Sequence, residues 1–156
     1  MELDHKKADK LADLILAVFR LDGVLKDWGD EFAALEGLSS ARWQMLGALA
    51  LADQPLTAPQ VAARMGVTRQ AAQRQLNLLV EKKLIEIRPN PMHKRSQLYA
   101  LTQSGLITYN AIDGRWKIHA SQTASLFNVS DLDTVVTLLN ALVDVHLSKH
   151  QKGGHE

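Results

Sequence analysis

Residues 56–82 read LTAPQVAARMGVTRQAAQRQLNLLVEK, and this stretch decides the fold. Thr57 opens it with Gln60 three residues later and Pro59 in the first turn, the pattern of a capping box. The helix so started is short, about 58–65, because Gly66 follows as a stop. Thr68 then caps a second helix, about 69–82. Ala72, Leu76 and Leu79 share one face of it, spaced by four and three. Arg69, Gln70, Gln73, Arg74 and Asn77 occupy the opposite face. Two short helices joined by a turn at Met65-Gly66-Val67 make a helix-turn-helix.

Downstream, Leu84-Ile85-Glu86-Ile87 reads as a strand and Gln97-Leu98-Tyr99-Ala100-Leu101 as its returning partner. Pro89-Asn90-Pro91 turns between them, with basic residues just beyond, so the hairpin forms a wing. Upstream, residues 5–35 read as one long helix. Its apolar positions are Leu11, Ile15, Val18, Leu25, Trp28, Phe32 and Leu35, close to a seven-residue repeat. Gly23 weakens its middle by about 1 kcal/mol relative to Ala, and Gly37 stops it. Ser39 or Ser40 caps a helix at 40–52 carrying Trp43, Leu46, Leu49 and Ala50. Thr102 caps a fifth helix, 103–126, which Gly105 and Gly114 weaken locally. Ser130 caps a sixth, 131–149, with Leu132, Val135, Leu138, Leu139, Leu142, Val143 and Leu147. The fold class is mainly α with a small β-hairpin wing.

The chain has 156 residues, the length of one domain, and 46% hydrophobic residues, enough for a buried core. Aromatics are only 5%, so that core is mostly Leu, Ala and Val. With no cysteine there is no disulfide framework, no thiolate metal site and no thiol switch, which fits a cytoplasmic protein. Met1 to Lys10 is charged and lacks the apolar core of a signal peptide. No run of about 18 apolar residues is present, so no membrane span is expected. G-x-S-x-G, H-E-x-x-H, a Gly-rich phosphate loop and paired Cys are all missing, which disfavours an enzyme, and no cofactor is expected.

A net charge of +1 taken alone argues against a strongly electrostatic partner. Its distribution says otherwise. Residues 1–57 carry net −4 and residues 97–156 net −1. Residues 58–96 carry eight basic side chains (Arg64, Arg69, Arg74, Lys82, Lys83, Arg88, Lys94, Arg95) against two acidic (Glu81, Glu86), net +6. A basic middle between acidic ends is expected where only the middle meets a polyanion. An α-helix fits the major groove of double-stranded DNA, where Arg suits guanine and Gln or Asn suits adenine. A rival reading is a winged-helix module that binds a protein instead of DNA; the basic face disfavours it.

Leu56-Thr57-Ala58, Val61-Ala62, Met65-Gly66-Val67-Thr68-Arg69, Leu79, Glu81-Lys82 and Leu84-Ile85-Glu86 together resemble the MarR (multiple antibiotic resistance regulator) family of transcription regulators. The wing, Asn90-Pro91-Met92-His93-Lys94-Arg95, with Leu98 and Leu101-Thr102-Gln103-Ser104-Gly105, is similar to that family's wing signature. The clearest similarity covers about 56–105 and the order of helices on either side fits. The resemblance implies a homodimeric, ligand-responsive repressor on a palindromic operator. It implies one MarR-like domain over 1–156, with dimerisation helices in 1–37 and 103–150 and a DNA-binding winged lobe in 40–102. The apolar residues of the first and sixth helices, more than one winged lobe can cover, also point to an interface.

Carried over by position, Thr68, Arg69, Gln70, Gln73, Arg74 and Asn77 would read the major groove or its phosphates. Arg95 matches the wing arginine that enters the minor groove, where a narrow groove favours its charge; Lys94 would meet phosphate. Two positions depart from the family pattern. His93 stands where a carboxylate usually precedes the wing arginine, so the tip loses an ion pair. At the tip His93 itself would lie near phosphate. Lys83 stands where Gly often ends the recognition helix, so either it bears the cost of a left-handed backbone or the helix ends otherwise.

Many members of that family release DNA on binding a small phenolic or lipophilic effector. Trp28, Phe32, Trp43, Met45 and Trp116 are candidate lining residues here, and core packing explains each of them as well. His146 and His150 have zinc-compatible spacing with Asp144 nearby, but lack a firm third ligand, so a solvated helix end is the better reading and no metal is assigned. His5 and His119 stand alone.

Overall fold

The computed structural model describes the backbone of residues 2–152 and the side chains of residues 4–147. Six helices and three short strands follow in the order α1 (Glu2–Ala33), α2 (Ser40–Ala50), β1 (Leu56–Thr57), α3 (Ala58–Met65), α4 (Arg69–Glu81), β2 (Ile85–Arg88), β3 (Leu98–Leu101), α5 (Gln103–Ala124) and α6 (Val129–Lys152). The fold is a winged helix-turn-helix with long helices on either side of it in sequence. It forms two compact units, 1–113 and 114–156, the boundary falling inside α5.

The local signals of the helix-turn-helix operate as the sequence suggests. The Thr57 hydroxyl accepts from the Gln60 amide at 3.4 Å, and the Gln60 side chain accepts from the Thr57 amide at 2.9 Å, closing the capping box of α3. Thr68 Oγ1 accepts from the Ala71 amide at 3.1 Å and caps α4. Ala72, Leu76 and Leu79 are fully buried on the inner face of α4. Around them Leu46, Val61, Ile85, Tyr99 and Ile112 form the core of the first unit.

Three chain reversals share one hydrogen-bond pattern. Leu38 donates to Ala33 O, Val67 to Ala62 O and Leu84 to Leu79 O. Each closes a helical segment through a left-handed residue, the geometry of a Schellman cap. Gly37 and Gly66 fill that position twice, with φ of 69° and 62°. Lys83 fills it the third time, at φ 59°. Of the two endings open to a helix without that glycine, the left-handed lysine is the one present.

Several expectations are corrected. Helix α1 gives way to a 3-10 turn at Ala34–Glu36. That tighter winding swings Leu35 off the apolar stripe, leaving it 78% exposed. Leu11 and Leu25 are also half-exposed, so the stripe of α1 is not covered within its own unit. The sheet is not a lone hairpin: β1 pairs with β3, Leu56 opposite Tyr99, giving the order β1-β3-β2. Strand β2 begins at Ile85 because the Leu84 amide is taken by the α4 cap. Helix α5 ends at Ala124, two residues short of expectation. Helix α6 starts at Val129, and Asn128, not Ser130, caps it by accepting from the Asp131 amide at 2.8 Å.

Gly105 is not merely a weak point of α5. A side chain there would place Cβ 1.8 Å from the Leu84 carbonyl oxygen, so only glycine lets α5 approach the end of α4 this closely. Thr102 ties the same joint. Its amide donates to Leu84 O at 3.1 Å and its hydroxyl to Lys83 O at 2.8 Å, while that hydroxyl accepts from the Gly105 amide at 3.0 Å. Helix α4, the wing and α5 are thereby anchored to one another at Lys83 and Leu84.

Candidate nucleic-acid interface

Burial of Ala72, Leu76 and Leu79 fixes which way α4 faces. The opposite surface carries Arg69, Gln70, Arg74 and Asn77 exposed, with Gln73 half-buried. Thr68 precedes them at the helix start, its hydroxyl oxygen engaged in the cap.

The wing brings a second set of cations alongside. Asn90 Oδ1 accepts from the Met92 amide at 3.0 Å and shapes the descent from β2. At the tip the Ser96 amide donates to His93 O at 3.1 Å, closing a turn with Lys94 and Arg95 at its centre. That backbone bond orders the tip at His93. His93, Lys94 and Arg95 are all exposed.

Helix and wing enclose a groove of about 590 Å³. Arg69, Gln70 and Gln73 line it from α4, Lys94, Arg95, Ser96, Gln97 and Tyr99 from the wing, and Ala58 and Pro59 from the start of α3. Among the described residues Arg69, Arg74, Lys94 and Arg95 make no salt bridge, whereas Arg88 is neutralised by Glu86 at 2.6 Å. Leaving several cations around one concavity without internal counter-ions raises the local potential and suits a phosphate-bearing ligand.

Of the nine positions expected on the sequence, Arg69, Gln70, Gln73, Lys94 and Arg95 converge on this groove. Thr68, Arg74, Asn77 and His93 are not among its lining residues, although Asn77 touches Gln73, whose Nε2 donates to Asn77 Oδ1 at 2.8 Å. Sequence reasoning missed Tyr99, Ser96 and Gln97. Tyr99 is 3% exposed, yet its hydroxyl accepts from Gln73 Nε2 at 2.8 Å. A tyrosine in a short strand next to a polar helix face was the available signal.

The aromatic residues separate into groups. Trp28 stacks on Phe32 with ring centroids 4.7 Å apart, and Phe32 meets Trp43 at 5.3 Å. Met45 is a buried core residue. Trp116 lies in the second unit, its ring 5.8 Å from that of His119. The His146 ring contacts Leu142 O through Nδ1 at 2.7 Å, and the side chain of His150 lies outside the described residues. Among the described residues no single helix is long and apolar enough to cross a membrane.

A family model described as "MarR family" matches residues 36–96. An uncharacterized protein of Mycobacterium tuberculosis (strain ATCC 25618 / H37Rv) is 45% identical over 108 residues, 69% of this chain and 74% of that protein. The crystal structure of a MarR family transcription regulator is 26% identical with a TM-score of 0.75, covering 93% of this chain and 95% of that one. A mutant MarR from E. coli complexed with operator DNA has the same fold, with a TM-score of 0.72, at 20% identity over 86% of this chain and 96% of that one.

Proposed function

The chain belongs to the MarR family of transcription regulators, and from that premise we propose that it is a dimeric, sequence-specific DNA-binding repressor acting in the cytoplasm at a palindromic operator. The observation that carries this reading is the groove between α4 and the wing, with Arg69, Lys94 and Arg95 around it and, among the described residues, no ion pair on any of the three. In this reading the N-terminal part of α4 enters the major groove and Arg95 the adjacent minor groove. Thr68, Arg69, Gln70, Gln73, Arg74 and Asn77 contact base edges and phosphates, and His93 and Lys94 approach the backbone beside Arg95.

Dimerisation is assigned to segments 1–37 and 103–150 and DNA binding to 40–102. Each unit supports this separately. Helix α1 exposes Leu16 at 68% and Phe19 at 70%, and α6 exposes Val136, Val143 and Leu147, large apolar side chains of the kind that cluster at interfaces. Release by a small phenolic or lipophilic effector is part of the same proposal, with Trp28, Phe32 and Trp43 as its first candidate contacts and Met45 and Trp116 as further ones.

Selection of bound fragments from genomic DNA tests the reading, followed by titration of the enriched site at several salt concentrations. An enriched palindrome is expected. For about ten phosphates neutralised per dimer, log affinity should fall with log salt at a slope near −9. Recovery of no enriched sequence, or a slope near zero, would refute it in favour of a protein-binding module.

A further inference from the structure

The groove contains a hydrogen-bond arrangement that bears on which bases can be read. Gln73 lies on the face of α4 that lines the groove. Its Nε2 donates to Asn77 Oδ1, one turn along the same helix, at 2.8 Å. It also donates to the Tyr99 hydroxyl, across the groove floor on β3, again at 2.8 Å. A carboxamide has two N–H donors and one carbonyl acceptor. Both donors are therefore committed inside the protein, and Oε1 alone is left to face a ligand.

The anchor of this arrangement is rigid. Tyr99 is 3% exposed and sits in the central strand, with Leu56 opposite it on β1 and Ile87 opposite it on β2. Its oxygen cannot move without moving the sheet. Asn77 is exposed but shares the rigid helix with Gln73.

We propose that Tyr99 is a positioning residue for base recognition: with Asn77 it locks Gln73 so that the side chain accepts from, but does not donate to, a base edge. This rests on the DNA-binding reading above and deepens it. A free glutamine reads adenine with two bonds, accepting from N6 and donating to N7. The locked Gln73 makes only the first. Its partner is an exocyclic amine in the major groove, adenine N6 or cytosine N4, and N7 is irrelevant to it. The operator position under Gln73 then tolerates adenine and cytosine and rejects guanine and thymine, whose keto oxygens would face the Gln73 carbonyl.

The test selects bound duplexes from a randomised library with the full-length protein and with Gln73→Ala and Tyr99→Phe, at one salt concentration. Gln73→Ala identifies the position by flattening it. At that position the wild type should accept adenine and cytosine. Tyr99→Phe, which frees one N–H, should narrow the preference toward adenine by about fivefold or more, the lower bound for a bidentate contact. Preferences elsewhere and the salt slope should be unchanged, a pattern that loss of folding would not produce. A second measurement needs no variant. An operator with 7-deazaadenine at that position should bind wild type within about twofold of the parent duplex.

A fivefold or greater loss with 7-deazaadenine overturns the proposal, as does an unchanged base preference in Tyr99→Phe or no flattened position in Gln73→Ala. Failure of the wild type to enrich any sequence is a different result. It removes the DNA-binding reading itself, and this proposal with it.

Discussion

Replacing Gly105 by Ala should be among the most damaging conservative changes in this chain. The added Cβ would sit 1.8 Å from the Leu84 carbonyl oxygen and 2.9 Å from its carbon, with Leu101 Cδ2 at 3.3 Å. Two of these neighbours are backbone, so neither can rotate away. Helix α5 and the end of α4 must part by about 1 Å. Overpacking of this kind costs about 1–3 kcal/mol. Parting also strains the bonds from Thr102 to Leu84 O and Lys83 O, each worth about 1 kcal/mol. Alanine returns up to about 1 kcal/mol as a better helix former. The net loss is about 2–4 kcal/mol, which for a chain of this size lowers the melting temperature by roughly 5–15 °C. Thermal and urea unfolding at one fixed protein concentration measure it, since any self-association would make apparent stability depend on concentration. Gly114→Ala, on the same helix with nothing within 4 Å of the new Cβ, is the control and should be neutral or stabilising by up to about 1 kcal/mol. If Gly105→Ala loses less than 1 kcal/mol, or the two variants behave alike, close packing at Leu84 does not explain the glycine.

Lys83→Gly removes a left-handed cost of about 1–2 kcal/mol and adds about 0.5–1 kcal/mol of glycine entropy, so the urea midpoint should rise slightly; a clear fall would mean the lysine side chain contributes packing. Thr57→Ala deletes the reciprocal cap of α3 and should cost about 1 kcal/mol by equilibrium unfolding. Arg74→Ala should weaken binding to the enriched site by about 1–3 kcal/mol if Arg74 grips a base, and an unchanged preference among duplexes would remove it from base readout.

What was legible in the sequence was local. Thr57, Gln60, Gly66 and Thr68 act on backbone groups within three residues of themselves, so the bounds of α3 and α4 could be read almost to the residue. The stripe Ala72, Leu76, Leu79 was legible because one turn of helix sets its spacing, and that stripe fixed the outward face. What escaped was contact between distant segments. Strand β1 is two residues long and carries no periodicity of its own; it exists because β3, some forty residues later, offers a free edge. Gly105 looked like a defect because its reason, the Leu84 carbonyl, lies 21 residues away.

The net charge has the same lesson in another form. Summed over the chain it is +1 and suggests indifference to a polyanion. Divided by segment it becomes −4, +6 and −1, which directs attention to the middle. The fold divides it once more. Within the basic block Arg88 is neutralised by Glu86 on its own strand, while Arg69, Lys94 and Arg95 share a groove without counter-ions. Attraction to a phosphate backbone depends on that last arrangement, because exposed charges farther apart than about 10 Å are largely screened at moderate salt.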